Sequence, residues 1–158
     1  MRVLDVSVGS PMTIHHNGQE VSTAFFKSPV STPVVARPLG IDGDTQVNRE
    51  AHGGPDKPVL AFPIESYAFY EAEFGVAPFR HGHFGENLTT EGMTEEEVRI
   101  GDRYRIGEAL MEVTMPRMPC FKFGHRLGDS KALARCIETG RAGFYPRLVE
   151  EGAVFACG

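Results

Sequence analysis

A mainly β domain, a closed or nearly closed barrel with a few peripheral helices, is the fold class predicted from three observations. Strand-like runs are short and numerous, 18 Gly and 11 Pro punctuate them, and only two stretches carry a helical spacing of apolar residues. A chain of 158 residues is long enough to bury one core, and no repeat, low-complexity tract or linker divides it. Residues 1–158 are therefore read as a single domain.

Arg2 to Val8 alternates and reads as a strand stopped by Gly9-Ser10-Pro11, and His16-Asn17-Gly18 marks a turn. Val21 to Phe26 and Thr32 to Arg37 are further strand candidates. Val59 to Phe62 is a short apolar strand. Ile64 to Phe74 places Ile64, Tyr67, Ala68, Tyr70 and Phe74 on one helical face, with Gly75 as the C-terminal cap. Phe84 to Thr90 reads as a loop entering a strand. Val98-Arg99-Ile100, Arg103 to Ile106 and Ala109 to Thr114 read as strands separated by Gly101-Asp102 and Gly107-Glu108. A second helix is expected over Ser130 to Ile137, with Asp129 or Ser130 as N-cap and Gly140 beyond its end. Phe144 to Val149 and Ala153 to Ala156 read as a helical turn and then a strand.

The formal net charge is −5, which argues against nucleic-acid binding by bulk charge while leaving room for a local basic pocket. The N-terminus has an acid at Asp5 and no continuous apolar stretch, unlike a secretory leader, and no run reaches membrane-spanning length. A cytoplasmic location is expected. Cys120, Cys136 and Cys157 are odd in number and widely spaced, so free thiols are expected rather than a disulfide framework.

Three runs carry candidate chemistry. In Pro116-Arg117-Met118-Pro119-Cys120, Pro116 should end a strand ladder and Pro119 should hold Met118 extended, leaving Cys120 on a stiff segment. A thiolate there is a soft metal ligand, and Arg117 could stabilise it if turned inward. A buried, inert Cys120 is the plainer alternative. The polar segment Gly40 to Lys57 is too long for a simple connector. Within it, Gly53 and Gly54 can aim backbone N–H groups at an anion, and Arg49, His52 and Lys57 add charge or donors. Asp44 and Gln46 belong to the same segment, whose alternative reading is a solvated, turn-rich loop. In Gly85-Glu86-Asn87, Asn87 can both donate and accept, and Glu86 could be a structural acceptor. His81, His83 and His52 raise a zinc or iron site, but no third and fourth ligand set is evident. Nucleophile-elbow, P-loop and dinucleotide-binding glycine motifs are missing from the sequence.

Taken in order, these runs resemble the MOSC family, named for the C-terminal domain of molybdenum-cofactor sulfurase, in its stand-alone bacterial branch. Gly43-Asp44-Thr45-Gln46, His52 to Lys57, Phe84 to Thr90, Gly92 and Glu95 carry the likeness. Gly101-Asp102, Gly107 to Leu110, Pro116 to Cys120 and Gly143-Phe144-Tyr145 to Gly152 continue it. The polar loop departs from the family in reading Val47-Asn48. The resemblance implies a barrel like that of pyruvate kinase and a molybdenum cofactor (molybdopterin) with its metal on Cys120. It implies reduction of N-hydroxylated compounds such as hydroxylamino bases and amidoximes, with electrons from a separate flavin or haem protein. Asn87 and Asp44 would hydrogen-bond cofactor or substrate. Arg117, Lys57, His52, Arg49, Gly53, Gly54 and Gln46 would hold the cofactor. A persulfide carrier on Cys120, or a cofactor-binding module without turnover, is the alternative. A homodimer is expected to be compatible with an exposed sheet edge.

Overall fold

Val3 and Val6 are buried while Arg2 and Met1 stay exposed, so the first strand, β1 (Arg2–Val8), seals one side of the core. The computed structural model describes residues 1–45, 54–76 and 78–157. β1 pairs antiparallel with β4 (Ser28–Pro29) and with β8 (Leu88–Glu91). β8 runs parallel to β7 (Ala61–Pro63), which pairs with β11 (Phe144–Glu150). β10 (Ala109–Pro116) and β9 (Arg103–Ile106) complete a seven-stranded sheet in the order β4-β1-β8-β7-β11-β10-β9. A second sheet has the order β12-β5-β6, from Gly152–Val154, Val34–Arg37 and Gly40–Ile41. Among the described residues these ladders leave β4 and β9 as the ends of the larger sheet and β12 and β6 as the ends of the smaller. The fold is thus mainly sheet with three helices among those residues.

A separate hairpin joins β2 (Met12–His16) to β3 (Gln19–Thr23). Its two-residue turn has Asn17 at φ 50° and Gly18 at φ 75°, the positive angles that match the twist of a tight hairpin. β2 was not distinguished in the sequence. The expected strand at Val98-Arg99-Ile100 does not form, and a turn over residues 95–97 precedes it. The N–H groups of Glu97 and Val98 both donate to the Thr94 carbonyl, and the Thr94 hydroxyl donates to Glu97, which takes these donors from any ladder. Phe144 to Val149 is strand throughout. Pro146 is accommodated because the β10–β11 register shifts between Val113 and Met115, beside it.

The first helix, α1 (Ile64–Phe74), has the expected bounds and ends on Gly75 in the left-handed region. The second expected helix is α3 (Ala132–Thr139), where Asp129 accepts the Lys131 N–H just before its start and Gly140 caps its end. Between them lies a helix the sequence reading missed, α2 (Phe121–Leu127), ended by Gly128 at φ 65°. An aromatic cluster under the helices fixes it. Phe84 stacks on Phe62 with ring centroids 4.5 Å apart and on Phe123 at 5.1 Å, and Tyr67 and Tyr70 meet Phe84 from α1. Full burial of each such ring stabilises by about 1.5–3 kcal/mol. The aliphatic core between the sheets, including Val6, Ala36, Leu88, Met111 and Val154, is separate from it.

Candidate functional site

β10 ends at Pro116, and the next residues alternate. Arg117 turns inward and is 6% exposed, while Met118 points out. Arg117 N–H donates to the Gly143 carbonyl, continuing the strand pairing by one step. Cys120 follows in extended geometry (φ −117°, ψ −179°) as the residue capping α2, with its carbonyl accepting the Phe123 N–H. Cys120 lies on the wall of a cleft that opens to solvent, with a cavity volume of about 80 Å³.

Asp44, Lys57, Asn87, Arg117 and Cys120, separately singled out in the sequence, all line this cleft. Gly54 opens the turn that brings Lys57 there, with its carbonyl accepting the Lys57 N–H at 3.2 Å. Gln46, Arg49, His52 and Gly53 lie outside the described residues. Phe25, Lys27, Lys122 and Tyr145 are among the lining residues not singled out as site residues in the sequence. Lys27 sat hidden at the end of the apolar run Ala24-Phe25-Phe26. Lys122 and Tyr145 fell in segments whose structure was missed or misread.

Charge in the cleft is lopsided. Arg117 Nη1 donates to the Phe84 carbonyl at 2.9 Å, and its guanidinium lies over the rings of Phe25 and Phe123 at 5.4 and 5.8 Å. Among the described residues no carboxylate pairs with it. A buried guanidinium held only by neutral carbonyls and ring faces is a costly arrangement unless an anion completes it. Burial pushes the Tyr145 phenol above its ordinary range; Arg117 opposes that push and Cys120 adds to it, which places all three groups in one electrostatic neighbourhood.

Asp44 and Asn87, which also line the cleft, are bonded to each other. Asp44 Oδ1 accepts from the Gly9 N–H at 2.9 Å and from Lys27 Nζ at 2.6 Å, and its Oδ2 accepts from Asn87 Nδ2 at 2.8 Å. Asn87 also donates to the Ser7 carbonyl and accepts the Leu60 N–H. Gly85 makes room on the floor. Its φ is +82°, and a Cβ there would lie 2.7 Å from the Phe25 ring. Glu86, next in sequence, is fully buried and organises the loop by accepting from Tyr67, Thr89 and the N–H groups of Gly82 and Phe84. Burial pushes its carboxyl up, against those donors.

Of the histidines considered as metal ligands, His52 lies outside the described residues, and His81 and His83 are engaged elsewhere. His81 Nδ1 meets Asp5 at 2.5 Å, and His83 bonds Arg126 through both ring nitrogens. Among the described residues no group of three or more His, Cys, Asp or Glu side chains gathers. No described helix is long and apolar enough to cross a membrane.

The residues present fit a molybdopterin-type group by their own chemistry. One soft thiol, a buried guanidinium without a carboxylate partner among the described residues, and further lysines share a cleft with the apolar surfaces of Phe25, Leu60 and Tyr145. That donor set suits a ligand with a thiophilic metal at one end and a phosphate at the other.

Comparison with known proteins bears on the family and the fold. The MOSC domain model matches residues 48–156. The uncharacterized protein YflK of Bacillus subtilis is 41% identical over 152 residues, covering 96% of this chain and 68% of YflK. A Gibberella moniliformis protein named reductase is 37% identical over 140 residues, covering 87% of this chain but 25% of that protein. The crystal structure of YiiM from Geobacillus stearothermophilus superposes with a TM-score of 0.77 at 34% identity, covering 97% of this chain and 71% of that one. From the matching model, these identities and the shared fold, the chain belongs to the MOSC domain family, alongside its bacterial members.

Proposed function

We propose that this protein binds a molybdenum cofactor and reduces N-hydroxylated compounds. The observation that carries the reading is Arg117, 6% exposed and without a carboxylate partner among the described residues, in the same cleft as Cys120. When bound, the cofactor supplies two-electron reduction of an N–O bond, with electrons from a separate flavin or haem protein.

The chain's own residues bind and orient. Cys120 holds the metal as a thiolate, on a segment stiffened by Pro116 and Pro119 and closed by the start of α2. Arg117 supplies the charge for an anionic tail, fixed by the Phe84 carbonyl and the two rings that flank it. Lys57 and Lys122 extend that positive lining. Phe25, Leu60 and Tyr145 supply apolar surface for the ring system of the ligand to pack against. A fungal relative named reductase supports the reaction class. Cytoplasmic location, barrel closure of the sheets and a homodimer accord with this reading as parts of the same proposal.

Metal and pterin analysis of protein made in a host that synthesises the cofactor tests it, with wild type beside Cys120→Ala. Near-stoichiometric molybdenum in the wild type and its loss in a still-folded variant is the expected result. Wild-type protein devoid of molybdenum and pterin would sink the reading and favour a persulfide on Cys120, seen as a one-sulfur mass increase.

A further inference from the structure

Two buried cations face the cleft, and they are held in opposite ways. Arg117 has no carboxylate beside it among the described residues. Lys27, with its side chain 8% exposed, meets Asp44, 3% exposed, at 2.6 Å. A buried ion pair is a poor way to gain stability, since desolvating both charges offsets most of their attraction. Lysine is also the more flexible cation, with a four-carbon stem and three rotatable donors. Here that freedom is removed. Asp44 receives Lys27 and the Gly9 N–H on one oxygen and Asn87 on the other, and Asn87 is tied to the backbone at Leu60 and Ser7. A Cβ on Gly9 would lie 2.7 Å from the Ala24 carbonyl, so the end of β1 is wedged against the segment leading to Lys27. Every anchor of this chain of bonds is backbone.

We propose that Asp44 is a positioning residue that acts through Lys27, with Asn87 as its brace. It aims the ammonium into the cleft as a fixed hydrogen-bond donor to an oxyanion group of the ligand, while Arg117 supplies the uncompensated charge. The inference rests on the reading above only in requiring a ligand that bears a phosphate-like anion. Lys27 and Asp44 together are near neutral, so Lys27 contributes direction rather than net charge. The ordering cost that a free lysine would incur on binding is met in advance by the fold.

This division of labour has an outcome that simple charge attraction reverses. Asp44→Asn makes the cleft one unit more positive. Attraction alone then predicts tighter anion binding, whereas loss of positioning predicts weaker binding. The probe is inorganic pyrophosphate, titrated calorimetrically into the cofactor-free full chain at low ionic strength. Asp44→Asn and Lys27→Met are each expected to weaken binding roughly tenfold, the scale of one charge-assisted hydrogen bond. In the Lys27→Met background, adding Asp44→Asn should cost nothing more. Lys27→Arg, with Asp44 intact, should recover part of the affinity. Thermal melts of each variant accompany the titrations. Equal or tighter binding by Asp44→Asn overturns the proposal, as does a loss that persists in the Lys27→Met background, the mark of general disturbance. Wild-type protein that does not bind pyrophosphate overturns it too. Molybdenum content, measured separately, reports on the cofactor reading: the expected affinity pattern without molybdenum leaves positioning standing and removes the cofactor.

Discussion

Acidification should weaken the packing around His83. Its ring stacks on Phe79 at 4.0 Å, its Nε2 donates to the Arg126 carbonyl, and its Nδ1 accepts from Arg126 Nη2. This arrangement requires a neutral imidazole. Burial first, and the Arg126 charge second, hold its pKa down at about 4 against an ordinary 6.5. The unfolded chain therefore takes up the proton before the folded one. The stabilisation is complete above about pH 6.5 and is lost as pH falls toward 4. The full shift corresponds to about 3 kcal/mol. The ring is partly exposed, and solvent screening reduces this to about 1–2 kcal/mol. For a chain of this size that is a fall in melting temperature of about 3–6 °C between pH 7.5 and 4.5. Urea unfolding of wild type and His83→Gln at the two pH values isolates the effect, because carboxylates that titrate over this range do so in both proteins. The variant should be less stable at pH 7.5 but lose about 1–2 kcal/mol less on acidification. Equal losses in the two proteins, or a His83 resonance that titrates near 6.5, would refute the reasoning.

Gly85→Ala should destabilise by about 1–3 kcal/mol, since it puts a Cβ at positive φ and against the Phe25 ring. Because Phe25 flanks Arg117, the same variant should also bind pyrophosphate more weakly; unchanged affinity would detach Phe25 from the site. Phe123→Ala should cost about 3–5 kcal/mol by opening the aromatic cluster beneath α2. It should also lower molybdenum retention at temperatures where the protein remains folded, checked by metal analysis beside the melt.

Local pattern made part of this molecule legible. The face formed by Ile64, Tyr67 and Tyr70 announces α1, and Gly75 and Gly140 mark helix ends, because these signals are complete within a few residues. α2 stayed hidden for the converse reason. Phe121 and Phe123 are spaced like strand residues, and Cys120 makes no side-chain cap bond that a sequence could advertise. Tertiary contact, chiefly the stacking of Phe123 on Phe84, decides that segment. The site divides the same way. Cys120 and Arg117 were visible beside two prolines, whereas Lys27 had meaning only through Asp44, seventeen residues away and across the fold.

The β2–β3 hairpin pairs with no other strand among the described residues, yet its last residue, Thr23, lines the cleft, and His16 stacks on Phe121, next to Cys120. Mutations in its turn can therefore accumulate without disturbing the main sheet's hydrogen bonds. A lineage can lengthen, shorten or exchange this ribbon and reshape the mouth of the cleft while the wall that carries Cys120 stays constant. The hairpin is the part of the fold most open to evolutionary retuning, and the natural place to build a library for altered selectivity.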